Sequence, residues 1–242
     1  ETARDTLKAA LAQGGYGARF KIVRINGLDT KWGAADAQAV TEMDADAVLL
    51  PKVASPADLD ALAAITGDLP IWAMMETPRG ILNASEIASA HPRLAAMVLG
   101  TNDLVKELRA EHQAGRAPVM TALSLSLMAA RGAGLACIDG VYNAFKDDAG
   151  LRAECEQGRA MGFDGKTLIH PAQLAVTNEV FAPSEEALAE AHEQLAAFEA
   201  TEAAGGGVAV VNGRIVENLH VETARRLIAE ADAIARFAQT QM

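Results

Sequence analysis

The sequence predicts an α/β fold built on a parallel sheet, and three observations carry that reading. Short β-rich runs alternate with helix-patterned segments six times between residues 20 and 171. Polar residues gather where those runs end. No G-x-G-x-x-G or Walker A loop follows any of them, which lowers a nucleotide-binding Rossmann reading. A doubly wound sheet and a (β/α)8 barrel share the alternation, but active-site residues at the C-terminal ends of strands are the mark of the barrel.

In chain order, residues 1–13 read as an amphipathic helix with Leu7 and Leu11 four apart. Residues 20–26 form a β-rich run, 36–44 a helix, and 46–53 a strand closed by proline. Ser55 and Pro56 open a helix over 55–66 as N-cap and first helical residue. A strand over 70–76 precedes a helix over 81–91, and a strand over 94–100 precedes a helix over 101–113. A long apolar helix over 119–134 ends at glycine and leads to a strand over 135–140. A helix over 149–162 and a strand over 165–171 complete the alternation. Beyond it, 184–204 is a polar, alanine-rich helix, and 205–219 is a small hairpin turning at Asn212-Gly213. A last helix covers about 220–238 by its cap and period. The expected domains are a barrel over 1–180 and a C-terminal extension over 181–242.

Composition narrows the function. Half of the 242 residues are hydrophobic and only 4% aromatic, which suits helices packed on a sheet better than a β-sandwich. The net charge of −11 argues against a nucleic-acid partner, which needs clustered Lys and Arg. Two cysteines, Cys137 and Cys155, lie outside any C-x-x-C pair, so zinc and a disulfide framework are not expected and a reducing, cytoplasmic setting is. No apolar run has the length of a membrane span, so no membrane partner is expected.

The strand ends carry Arg24, Lys52, Glu76, Asn102 with Asp103, Asp139 and His170. Every strand must end, and ends are polar; that suffices for Asp139 and His170. It suffices less for Glu76 and Asp103, which follow strongly apolar runs where an unpaired carboxylate is costly. They lie 27 positions apart, one βα unit, so their strands should be neighbours. Two carboxylates on adjacent strands can converge on Mg²⁺, which takes one or two acids and completes its octahedron with water and substrate oxygens. Arg24 could grip a substrate carboxylate bidentately. Metal plus arginine suits a 2-oxo acid, with the metal as Lewis acid on its carbonyl.

The segments VRINGLDTKWGAAD, VLLPKVASPADLDAL, METPRGI, LGTNDL, ACIDGVYNAFKDDAGL and GFDGKTLIHPAQL, in that order, resemble the HpcH/HpaI aldolase–citrate lyase β-subunit family. The resemblance covers nearly the whole chain. It is strongest to the citrate-lyase-β-like branch, which includes malyl-CoA and citramalyl-CoA lyases and malyl-CoA thioesterases. It implies a (β/α)8 barrel, with Glu76 and Asp103 as Mg²⁺ ligands and Arg24 as the catalytic arginine on substrate oxygens. It also implies that the backbone at Gly100, Thr101 and Asn102 holds the oxo-acid carboxylate. Lys52 and Pro78 complete the candidate substrate-binding set. The loop reads Gly-Thr-Asn-Asp where the family more often has an acid before the aspartate, one negative charge fewer.

Two departures matter. The family pattern begins with two further strands, the second ending in an acidic motif, and neither occurs here. Six strands and two make eight, so the expectation is a barrel whose first two β/α units lie upstream of this sequence, where a targeting peptide also stays open. The second departure is Glu217, which stands where the family often has an aspartate that reaches over a neighbouring subunit's site. Glu217 is the candidate for proton transfer.

The expected activity is Mg²⁺-dependent C–C cleavage, or formation, of a 3-hydroxyacyl-CoA such as malyl-, citramalyl- or citryl-CoA, giving an acyl-CoA and a 2-oxo acid. The alternatives are a malyl-CoA thioesterase, a class II aldolase on free 2-oxo acids, or, in another class, a non-catalytic barrel subunit of a lyase complex. The resemblance also implies a homotrimer or hexamer.

Overall fold

The computed structural model describes residues 1–239, which divide into two compact units, one from Glu1 to Phe181 and one from Ala182 onward. The first contains α1 (Thr2–Gln13), β1 (Ile22–Arg24), α2 (Gly33–Val40), β2 (Ala47–Leu50), α3 (Pro56–Thr66) and β3 (Ile71–Met75). It continues with α4 (Pro78–Leu82), α5 (Ala84–Ala90), β4 (Leu94–Leu99) and α6 (Thr101–Glu107). A 3₁₀ segment (Ala114–Val119) leads into α7 (Met120–Gly132), β5 (Ala136–Asp139), α8 (Asp148–Met161), β6 (Gly165–Lys166) and α9 (Leu174–Phe181).

The six strands are all parallel and lie in the order β1-β2-β3-β4-β5-β6, each beside its neighbour in the chain. A doubly wound sheet reverses direction at a switch point; this sheet never does, and it curls instead. Both faces are apolar, as a parallel sheet covered on both sides requires. Val48, Leu50, Ala73, Met75, Met97, Leu99 and Cys137 pack with the helices in the main core. Leu49, Met74 and Val98 form a separate cluster on the other, concave face, joined by Ile22, Trp72 and Ile138. The strand period of two therefore decides which face each strand-end residue meets.

Local signals place the helices. Pro56 opens α3, and Asp58 Oδ2 reaches back to accept from the Ser55 amide at 2.8 Å. The stretch after β3 starts a helix earlier than expected: Thr77 is the N-cap of α4, its hydroxyl accepting from the Gly80 amide at 3.0 Å, and Pro78 is its first residue. Asn83 then separates α4 from α5.

Other boundaries differ from expectation. The helix expected over 36–44 runs over Gly33–Val40, because Trp32 and Gly33 already follow a turn built on the Thr30 hydroxyl. The strand expected over 165–171 is only Gly165–Lys166. His170 caps a 3₁₀ turn, its Nδ1 accepting from the Ala172 amide, and α9 follows where no helix was expected.

The second unit holds α10 (Glu185–Ala203), an antiparallel hairpin of β7 (Ala209–Val211) and β8 (Arg214–Val216), and α11 (Asn218–Gln239). Asn212 and Gly213 both have left-handed backbone, as a two-residue type I′ turn demands. Phe198, Ala209, Val211, Val216 and Val221 form its core. Among the described residues no helix is long and apolar enough to cross a membrane.

Candidate active site at the strand ends

Strand parity assembles the site. Arg24 lies two residues beyond Ile22, and Glu76 two beyond Met74, so both face the concave side. Asp103 sits in the first turn of α6, directly after β4. Glu76 is only 5% exposed. Its carboxyl is pushed up to about 7, first by burial and then by the charge of Asp103, while Lys52 and Arg24 pull the other way. Arg24, Lys52, Glu76 and Asp103 thus act on one another across neighbouring strand ends.

Lys52 joins the two acids. Its backbone N–H donates to Glu76 Oε1 at 2.9 Å, and its ammonium lies 3.3 Å from Asp103 Oδ1. That pair raises the lysine's pKa, Asp103 being the main cause. Lys52 does this with φ at +55°, the left-handed region that a side chain with a Cβ rarely adopts. Gly100 supplies the remaining space. A methyl there would land on Glu76 Cβ and Oε2, so a larger residue would expel the acid.

The loop after β4 is braced from the next strand. Asn102 and Asn143 exchange side-chain hydrogen bonds at 3.0 and 2.7 Å. Buried Thr101 fills the space where Gly140 has no side chain. A cleft lined by Thr101, Val119, Tyr142, Asn143 and Glu154 opens beside this loop and includes neither acid. Pro78 serves as the first residue of α4.

Asp139 and His170 lie elsewhere. Ile138 faces the concave side, so Asp139 faces the helices and is fully buried. It accepts from Arg116 Nη1 at 2.6 and 2.7 Å, from Lys166 Nζ at 3.1 Å and from the Gly140 amide at 2.7 Å. Lys166 also donates to Glu154 at 2.6 Å. Sequence reasoning missed this knot of Arg116, Asp139, Glu154 and Lys166. Parity alone could have found half of it, since Lys166 is the register partner of Asp139. His170 stacks on Phe145, ring centroids 4.7 Å apart. Glu217 lies in the second unit, where its amide donates to His220 Nδ1 at 3.1 Å.

The donor set suits a hard divalent cation. Glu76 Oε2 accepts no hydrogen bond among the described residues, and Asp103 is half-exposed. Among the described residues no third His, Cys, Asp or Glu joins them, so other coordination positions would fall to water and substrate oxygens.

Comparison with known proteins completes the picture. Residues 1–171 match the sequence profile described as HpcH/HpaI aldolase/citrate lyase. A protein of Cereibacter sphaeroides named (3S)-malyl-CoA thioesterase is 60% identical over 235 residues, 97% of this chain and 82% of the relative. The citrate lyase subunit beta of Escherichia coli K12 is 34% identical, over 96% of this chain and 80% of the relative. The solved structure of CitE from Mycobacterium tuberculosis, in complex with magnesium, acetoacetate and coenzyme A, is 31% identical. It superposes with a TM-score of 0.75, covering 87% of this chain and 78% of that one. These findings correct the expected activity. C–C cleavage was placed first and thioester hydrolysis second, yet the relative at 60% identity is named a thioesterase, and a lyase subunit matches at only 34%. The motifs were shared by both activities and could not order them.

Proposed function

This chain belongs to the HpcH/HpaI aldolase/citrate lyase family and is an enzyme, and from that premise we propose that it hydrolyses malyl-CoA or a closely similar 3-hydroxyacyl-CoA, with Mg²⁺ as cofactor. The observation that carries the reading is the 60% identity, over 97% of the chain, to proteins named (3S)-malyl-CoA thioesterase. The magnesium and coenzyme A named in the similar solved structure support it, as does the all-oxygen donor pair found here.

Glu76 and Asp103 would hold Mg²⁺, which when bound supplies a Lewis acid for substrate oxygens. Arg24, on the same concave face, binds a substrate carboxylate or the oxygen on which negative charge develops. The backbone at Gly100, Thr101 and Asn102 positions the acyl group's carboxylate, with Lys52 and Pro78 beside it. In the hydrolysis a water oxygen bonds to the thioester carbon and the C–S bond breaks. Glu217, reaching over from a neighbouring subunit of the oligomer, is the candidate base for the water's proton, which ends on the departing sulfur. The products are the free acid and coenzyme A.

We also propose that the curled sheet is part of a (β/α)8 barrel and that the protein is a homo-oligomer, a trimer or hexamer. The consecutive strand order and the apolar concave layer support the first. The exposed apolar side chains of Val208, Val210 and Ile215 at the hairpin support the second. The two buried free cysteines are in keeping with a reducing, cytoplasmic setting. A crystal structure with an open sheet would refute the barrel, and a monomer in light scattering would refute the oligomer.

The test of function is a thiol-release assay on malyl-CoA, with added Mg²⁺ or with EDTA, alongside detection of free malate. Metal-dependent release of coenzyme A and malate in equal amounts is expected. Intact malyl-CoA after incubation with the metal-loaded protein would overturn the proposal.

A further inference from the structure

Lys52 occupies a backbone conformation that favours glycine, and a charged side chain there needs a reason. A non-glycine residue in this region carries strain of roughly 1–2 kcal/mol. Asparagine or aspartate tolerate it better, because their short polar groups bond locally. Lysine does not have that advantage. What it has is reach: from one position its amide holds Glu76 and its ammonium meets Asp103.

Two carboxylates facing one another repel unless a cation lies with them. Here the cation close to Asp103 is the lysine's own. Both partners are substantially exposed, Lys52 at 53% and Asp103 at 37% of their side chains, so the ion pair is weak and the long side chain can leave without disturbing packing. The hydrogen bond that the amide donates to Glu76 belongs to the backbone and stays when the side chain moves. The two contacts therefore separate into a fixed one and a releasable one.

We infer that Lys52 is a built-in counter-ion that competes with the divalent cation for Asp103, its amide keeping Glu76 aimed while its ammonium is displaced as the cation binds. Lys52 thus lowers the site's cation affinity and stabilises the paired acids when no cation is present. This inference rests on the assignment of Glu76 and Asp103 as cation ligands.

The experiment is a Mn²⁺ titration of the full chain without substrate, following the free-ion signal by electron paramagnetic resonance. Wild type, Lys52→Met and Lys52→Arg are compared. Removing the lysine's positive charge should tighten Mn²⁺ binding about fivefold in K52M, the size expected in water for a unit charge about 8 Å from a divalent ion, the displaced ammonium having withdrawn to about that distance. K52R, which keeps the charge, should stay near wild type. The K52M advantage should shrink at high ionic strength, since it is electrostatic. Unchanged or weaker binding in K52M would overturn the inference while leaving the cation site standing. Absence of Mn²⁺ binding to wild type would instead overturn the cation assignment, and the inference with it.

Discussion

Replacing Glu76 with glutamine probes the site without metal or substrate. Glu76 ordinarily would titrate near 4.5 and in the folded protein does so at about 7. The folded state therefore binds this proton more tightly than the unfolded state. The stability it allows is fully present below about 4.5 and is lost as pH rises through about 7. At about 1.4 kcal/mol per pH unit, the interval corresponds to roughly 3 kcal/mol of destabilisation at pH 8. The glutamine of E76Q has no charge to bury, and its oxygen can still accept from the Lys52 amide. With EDTA present, E76Q should be about 2–3 kcal/mol more stable than wild type at pH 8, or about 4–12 °C in Tm for a unit of this size. The gap should close by about pH 4.5. Thermal denaturation followed by circular dichroism across that range is the assay. A mutant less stable than wild type at pH 8, or a gap that does not change with pH, would refute the reasoning.

Three further outcomes are expected. Arg116→Met leaves buried Asp139 and the half-buried Glu154 with one cation fewer, and should lower stability by about 3–5 kcal/mol in urea denaturation. Gly100→Ala drives a methyl into Glu76, so the rise in Tm on adding Mg²⁺ should vanish, as read by a thermal-shift titration. Glu217→Gln should lower the rate of coenzyme A release about 10²–10⁴-fold if Glu217 moves the proton. As an exposed residue its replacement should leave Tm within experimental error, and a full rate would remove it from the mechanism.

The sheet was legible because its signals are local. Ile71–Met75 and Leu94–Leu99 are apolar runs bounded by turn residues, and each emerged as a strand close to where its pattern placed it. β6 was over-read because Thr167–Ile169 look like strand, while the backbone turns as soon as the Thr167 amide and hydroxyl have bonded Asp139 O. Glu76 and Asp103 could be singled out because acids after apolar runs are anomalous wherever the chain goes. The role of Lys52 could not, since it depends on a left-handed φ that a run of residue types does not encode. Arg116 was hidden for a similar reason. It lies in an irregular polar stretch, far in sequence from the Asp139 that buries it. The choice between thioesterase and lyase was out of reach, because the motifs that carry the resemblance belong to a branch that includes both.

The buried knot around Asp139 also bears on how this protein can change over generations. Its two cations and two anions balance only as a set. Exchanging Arg116, Asp139 or Lys166 unbalances the charge in the interior, so each such first step lands on a less stable chain. Replacing all four by apolar residues could give a core just as stable, yet single steps toward it pass through chains with an unbalanced buried charge. The arrangement is thus a ratchet: easy to keep, hard to leave. Descendants of a common ancestor should hold these four positions together or lose them together, with drift concentrated on exposed pairs such as Lys8 and Glu42, where either partner can go first.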